Sequence, residues 1–131
     1  MFVLLFIIQS CIASYFDMLS TLHEKSHHGE SLGEILSRNF PQNKMTLRIL
    51  AIGCGFSKIP EEMALEGYGH VTCVDQRQEA KAFIENEWRK KGFWENRLAY
   101  KVGNIFEEIK SFESNSFDAV LDKGNRFHEW K

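Results

Sequence analysis

Cysteine and proline are scarce in this chain, and the sequence shows no cluster of metal-binding side chains. Its 131 residues include three cysteines and two prolines. The cysteines, at positions 11, 54 and 73, do not have the spacing of a zinc site. The histidines pair only at His27 and His28, and two adjacent histidines need further ligands to hold an ion. The sequence therefore predicts no metal site, and it predicts reduced, packed thiols at Cys54 and Cys73.

A strong charge of either sign is also lacking. The formal net charge is −2, and the 16 lysines and arginines are scattered along the chain. Proteins that bind nucleic acid usually concentrate basic residues on one face, so we expect no nucleic-acid partner. The hydrophobic fraction of 44% and the aromatic fraction of 13% suffice for the core of one folded domain.

Basic residues are absent from the first 24 positions, although the chain begins with an apolar segment. Phe2–Ile8 is continuously hydrophobic but too short to span a bilayer. Secretory signals normally open with basic residues, and here the first is Lys25. We therefore favour a cytoplasmic protein without a stable membrane span, and residues 1–14 could be a cleaved signal, a short buried helix or a misassigned start of the chain. Apolar side chains have helical spacing over residues 14–39, where Ser31 opens the run of Leu32, Ile35 and Leu36. Residues 1–44 therefore form a predicted N-terminal helical segment.

From residue 45 onwards the pattern is that of alternating strands and helices. Ile49–Ile52 is a short apolar run, as in a strand that is buried on both faces. Gly53 and Gly55 follow it, and glycine permits positive φ angles and a close approach of a ligand. After a helical stretch, a second strand ends in Asp75, 22 residues beyond Gly53. In nucleotide-binding βαβ units a carboxylate at this place binds the ribose.

Further strands and helices complete this pattern. The sequence predicts a helix over 77–91, a strand over 98–102, a loop or helical turn over 105–112 and a strand over 117–121. Such alternation predicts a parallel sheet with helices on both faces, and right-handed crossovers give the strand order three-two-one-four. We therefore predict an α/β, Rossmann-like domain over residues 45–131, with its ligand beyond the carboxyl ends of the first and fourth strands.

The glycine turn and the second strand resemble motifs of the class I S-adenosylmethionine-dependent methyltransferases. Residues 49–57 (ILAIGCGFS) are similar to the first motif of that family, and residues 67–75 (GYGHVTCVD) are similar to the second. Lys58 stands where a dinucleotide-binding turn has its third glycine, which disfavours a pyrophosphate ligand. Residues 116–124 (SFDAVLDKG) resemble the fourth-strand motif of a methyltransferase-like branch that modifies protein lysines, including those of elongation factor 1A.

The resemblance implies S-adenosylmethionine as the cofactor and assigns a role to each residue of the site. Asp75 would accept hydrogen bonds from the ribose, and the glycine turn would offer amides and space to the methionine part. Gln76 would lie along the adenosine. Asn104 stands where the family usually has an aspartate that accepts from the adenine amino group, and its carbonyl oxygen could do the same. The implied cofactor-binding residues are Gly53, Cys54, Gly55, Asp75, Gln76 and Asn104.

Asp122 is the catalytic residue that the resemblance implies, since a carboxylate at the end of the fourth strand can orient a substrate amine. The implied function is methyl transfer to a protein lysine. Class I domains have seven strands, whereas only four are evident here, and the chain departs from the branch after Gly124. We therefore expect a truncated domain that self-associates through an open sheet edge. Two alternatives stay open: an inactive truncated module that acts through a partner, and a nicotinamide-binding domain.

Overall fold

A parallel sheet of four strands forms the centre of the molecule. The computed structural model describes residues 22, 23, 25, 29–41, 44–93 and 97–122. The strands are β1 (Arg48–Ile52), β2 (His70–Asp75), β3 (Leu98–Val102) and β4 (Ala119–Asp122). They are arranged in the order β3-β2-β1-β4, and each neighbouring pair is parallel. The predicted Rossmann-like α/β fold and its strand order are therefore confirmed.

Helices connect the strands, and local signals in the sequence fix where they begin and end. The α-helices are α1 (Leu32–Asn39), α2 (Ile59–Leu65), α3 (Gln78–Lys90) and α4 (Ile105–Glu108), and short 3₁₀ helices span Lys44–Thr46 and Ile109–Ser111. Pro60 lies in the first turn of α2, where a missing N–H costs little. Gly67 and Gly92 have φ angles of 100° and 81° just beyond α2 and α3, a conformation that ends helices and favours glycine.

Each face of the sheet packs against its own hydrophobic cluster, because alternate residues of a strand point to opposite faces. One cluster joins the sheet to α1, α2 and α3 through buried side chains such as Leu36, Met63 and Trp88. The other joins the opposite face to Ile105 of α4, with Phe112 and Phe117 packed against it. Helices thus cover both faces, as predicted. No helix in the described part of the chain is long and apolar enough to cross a membrane.

The N-terminal segment differs from the prediction of a helix over 14–39. Leu22 lies in a turn, and Lys25 forms an isolated bridge with Ser31. The helix begins only at Leu32, because Ser31 and Glu34 form a capping box in which each side chain accepts from the backbone N–H of the other. The prediction is therefore wrong for the described residues before Leu32. The apolar residues 1–14 lie outside the described part of the chain.

At the amino end of the sheet, an ion pair defines where β4 begins. The carboxylate of Asp118 accepts from the backbone N–H of Arg48 at 2.9 Å and from its guanidinium at 2.9 Å. A longer parallel ladder would direct that N–H to a backbone carbonyl instead. β4 therefore begins at Ala119, two residues later than predicted. The hydrogen bond from Arg48 also lowers the pKa of Asp118.

Candidate functional site

The carboxyl ends of the four strands meet at one edge of the sheet. Ile52 of β1 is in register with Val74 of β2 on one side and with Asp122 of β4 on the other. Asp75 is in register with Val102 of β3. The residues that follow or close these strands are the predicted site residues Gly53, Cys54, Gly55, Asp75, Gln76, Asn104 and Asp122. The topology therefore brings all of them to the same edge.

The glycine turn after β1 is shaped by two positive φ angles, 73° at Gly53 and 50° at Gly55. The N–H of Gly53 donates to the carbonyl of Val74 at 2.9 Å, which extends the sheet. The N–H of Gly55 donates to Oδ2 of Asp75 at 2.8 Å. Both amides are therefore used within the protein, which differs from the expectation that they would bind a ligand. What the glycines offer a ligand is space, because neither carries a Cβ.

Asp75, at the end of β2, is hydrogen-bonded to the glycine turn and to the start of α3. The residue is only 8% exposed. Its Oδ2 accepts from Gly55, and its Oδ1 accepts from the backbone N–H of Arg77 at 2.9 Å and from the Arg77 Nε at 3.2 Å. An ionised carboxylate has about four acceptor positions. Three are occupied, so one position is free, and a second additional hydrogen bond would have to displace a present partner.

Tyr100 is a site residue that the sequence did not indicate. Its hydroxyl, on a 3% exposed residue of β3, donates to the carbonyl of Gly55 at 2.8 Å. Burial, with a smaller contribution from the Asp75 charge, raises the pKa of Tyr100, so the hydroxyl keeps its proton and remains a donor. The peptide groups of Gly55 are thus held on both sides, the N–H by Asp75 and the carbonyl by Tyr100. An aromatic residue in a strand predicts only a core position, which is why this contact was missed.

Arg77 is a second site residue that the sequence did not indicate. Its guanidinium carbon lies 5.6 Å from the ring centroid of Phe56, and Phe56 contacts the ring of Phe83 at 5.7 Å. A Cβ on Gly55 would overlap Nη2 of Arg77. The guanidinium therefore fills the space on the Cβ side of Gly55.

Asn104 and Asp122 occupy the two flanks of the site. The side-chain oxygen of Asn104 accepts from the N–H of Phe106 at 2.8 Å and caps α4. That oxygen has a second lone pair with which to accept from an adenine amino group. Asp122 closes β4, two strands away from β2. Because neighbouring strands are spaced about 4.8 Å apart, the ends of β2 and β4 are separated by about 10 Å.

The two cysteines near the site are packed thiols, as predicted. Cys54 and Cys73 are both unpaired and buried, and the Cys54 thiol donates to the carbonyl of Ala51 at 3.3 Å. Burial raises the pKa of the Cys73 thiol well above its ordinary value, which disfavours the thiolate. Among the described residues, no three His, Cys, Asp or Glu side chains are grouped to hold a metal ion.

Comparison with known proteins gives matches of two kinds. The family described as a methyltransferase domain matches residues 49–131. Among solved structures, the chain is similar to coclaurine N-methyltransferase bound to N-methylheliamine and SAH, with a TM-score of 0.54 and 17% identity. That match covers 81% of this chain and 32% of the other, so the chain spans about a third of the length of this neighbour. No curated protein matches the chain.

Proposed function

Because this chain belongs to the methyltransferase domain family, we propose that it binds S-adenosylmethionine and that the complete site transfers the methyl group to an amine nitrogen. The observation that carries this proposal is the buried carboxylate of Asp75 at the end of β2. It is hydrogen-bonded to a glycine turn whose φ angles are positive and whose second glycine has no Cβ in the way. A carboxylate at this place is the group that binds a ribose above a parallel sheet.

The chemistry of these residues fits S-adenosylmethionine better than it fits a dinucleotide. A carboxylate can accept from the ribose hydroxyls, and the amide oxygen of Asn104 can accept from the adenine amino group. Lys58 occupies the place of the glycine that lets a pyrophosphate approach, and S-adenosylmethionine has no pyrophosphate. The neighbour of known structure is bound to SAH, the compound that remains after S-adenosylmethionine has donated its methyl group.

The carboxylates at the ends of β2 and β4 would carry different parts of the reaction. Asp75 would hold the ribose, and Asp122, about 10 Å away at the end of β4, would hold the amine that accepts the methyl group. Bound S-adenosylmethionine supplies a methyl group on a sulfonium, which an amine nitrogen displaces in line. Positioning provides much of the rate of such a step, so the contribution of Asp122 is to orient the amine.

For the methyl acceptor we propose a protein lysine. The support is the resemblance of residues 116–124 to the fourth-strand motif of the lysine-modifying branch. The neighbour of known structure is instead named as an N-methyltransferase of coclaurine. Both acceptors present an amine nitrogen, so the same carboxylate could orient either one, and the assay has to offer both.

The proposal is tested by transfer of a radiolabelled methyl group from S-adenosylmethionine to extract proteins and, separately, to small cyclic amines. We expect protein labelling by the wild-type chain, and a decrease of at least about tenfold in Asp122→Asn with cofactor affinity unchanged. Asp118→Asn is the matched control, since Asp118 pairs with Arg48 at the opposite end of the same strand. Its labelling should equal that of the wild type.

Each other result changes a specific part of the proposal. Equal labelling by the wild type and Asp122→Asn would remove Asp122 from catalysis. Labelling of the small amines alone would replace the protein lysine as the acceptor. Cofactor binding without any labelling would favour a non-catalytic module that acts through a partner.

Tyr100→Phe tests whether the hydrogen bond from Tyr100 of β3 to the carbonyl of Gly55 supports cofactor binding. The variant leaves the buried carbonyl of Gly55 without its donor, so we expect a loss of about 1–2 kcal/mol in the free energy of unfolding and weaker S-adenosylmethionine binding. Tyr68→Phe is the control, because Tyr68 is also buried and also hydrogen-bonded, to Ser37, but precedes β2 at the far end of the sheet. Thermal melts and calorimetric titration of both variants separate the two effects. If both variants bound S-adenosylmethionine with the affinity of the wild type, the hydrogen bond from Tyr100 would contribute to stability and not to cofactor binding.

A further inference from the structure

The guanidinium of Arg77 occupies the two places where a ribose would contact the site. One is Asp75, whose Oδ1 accepts from the Arg77 Nε at 3.2 Å. The other is the side of Gly55 on which a Cβ would lie, and Nη2 of Arg77 fills that space. A ribose that reached the Asp75 carboxylate across Gly55 would overlap the guanidinium. The Arg77 side chain therefore fills this part of the candidate site.

The contacts that hold Arg77 there are few and weak enough to exchange. The backbone N–H of residue 77 donates to Asp75 whatever the side chain is, so only the guanidinium contacts depend on arginine. The Arg77 side chain is 51% exposed, and an ion pair of that exposure contributes little to stability. The guanidinium also lies over the ring of Phe56, and this contact is near the surface because Phe56 is 47% exposed.

We propose that Arg77 is the residue that sets the affinity of the site, by competing with the ribose for Asp75 and for the space above Gly55. The inference rests on the proposed function, because the ligand it concerns is S-adenosylmethionine. A side chain in contact with the binding carboxylate opposes ligand binding, so its removal should strengthen binding instead of weakening it.

The test is a calorimetric titration of the wild type, Arg77→Met and Arg38→Met with S-adenosylmethionine and, separately, with S-adenosylhomocysteine. Methionine places an unbranched apolar side chain against Phe56. It also keeps the backbone N–H at position 77, from which Asp75 accepts a hydrogen bond. We expect Arg77→Met to bind both ligands about fivefold more tightly than the wild type, the size of one half-exposed ion pair. Arg38 lies on α1, outside the candidate site, and pairs with Glu30, so Arg38→Met makes the same change in net charge and should bind as the wild type does.

The two ligands distinguish competition between Arg77 and the ribose from repulsion between Arg77 and the sulfonium charge. S-adenosylmethionine carries a sulfonium charge that S-adenosylhomocysteine lacks, whereas both present the same ribose. Tighter binding of S-adenosylmethionine alone would therefore overturn the inference, and so would equal or weaker binding of both by Arg77→Met, with the proposed function intact in each case. Binding by Arg77→Met but not by the wild type would support a site that Arg77 closes. Absence of binding in every chain would overturn the proposed function, and the inference with it.

Discussion

Replacement of Asp75 by alanine should weaken S-adenosylmethionine binding by about 2–3 kcal/mol, which is about 30- to 140-fold in the dissociation constant. The substitution removes the acceptor for the ribose and also the acceptor that holds the N–H of Gly55 at 2.8 Å. Loss of a hydrogen bond to a charged group costs more than loss of a neutral one. The measurement is a calorimetric titration of the purified variant.

Asp118→Ala is the matched control for this substitution. Asp118 also accepts from a backbone N–H and from a guanidinium, those of Arg48, but it lies at the amino end of the sheet. We expect the control to lose some stability and to keep the wild-type dissociation constant. Asp75→Asn should bind with intermediate affinity, because its remaining oxygen can still accept from Gly55. An unchanged dissociation constant in Asp75→Ala would remove Asp75 from the site.

Replacement of Gly55 by alanine should weaken cofactor binding about 5- to 140-fold, since overpacking at a close contact typically costs 1–3 kcal/mol. The new Cβ would occupy the space above the turn in which Nη2 of Arg77 now lies. Arg77 is half-exposed and can move aside, so the folded chain tolerates the methyl group better than a bound ribose would. The dissociation constant should therefore change more than the melting temperature.

Gly92→Ala is the control for the backbone cost of that substitution. Gly92 also has a positive φ angle, 81°, but a Cβ there would meet nothing within 4 Å. It should lose stability through the left-handed conformation alone and bind the cofactor as the wild type does. If Gly55→Ala retained wild-type affinity in a folded chain, the ligand would have to lie elsewhere than above the turn.

Local pattern and chain topology were enough to predict the fold. β3 spans the residues predicted for it, and α3 differs from its predicted bounds by one residue at each end. The strand order followed from the handedness of crossovers. The helical prediction over 14–39 was wrong for the described residues before Leu32, because apolar spacing alone does not establish a helix. The prediction that Ser31 opens the helical run from Leu32 is confirmed, since Ser31 caps α1.

The candidate site was predictable where it depends on strand ends, and not where it depends on side chains that meet across the fold. A residue that closes a parallel strand must lie at the common edge, so Asp75, Asp122 and the glycine turn could be brought together from the sequence. The bond from Tyr100 to Gly55 joins residues that are 45 positions apart. The position of Arg77 depends on a rotamer and a neighbouring ring, neither of which leaves a pattern in the sequence.

Binding of S-adenosylmethionine at this end of the sheet can be tested in one calorimetric experiment. The purified chain is titrated with S-adenosylmethionine and, in a parallel run, with NAD. We expect saturable binding of one S-adenosylmethionine per chain, strongly weakened in Asp75→Ala, and no binding of NAD. Binding of NAD in preference to S-adenosylmethionine, or S-adenosylmethionine binding that Asp75→Ala leaves unchanged, would show that this end of the sheet is not an S-adenosylmethionine site.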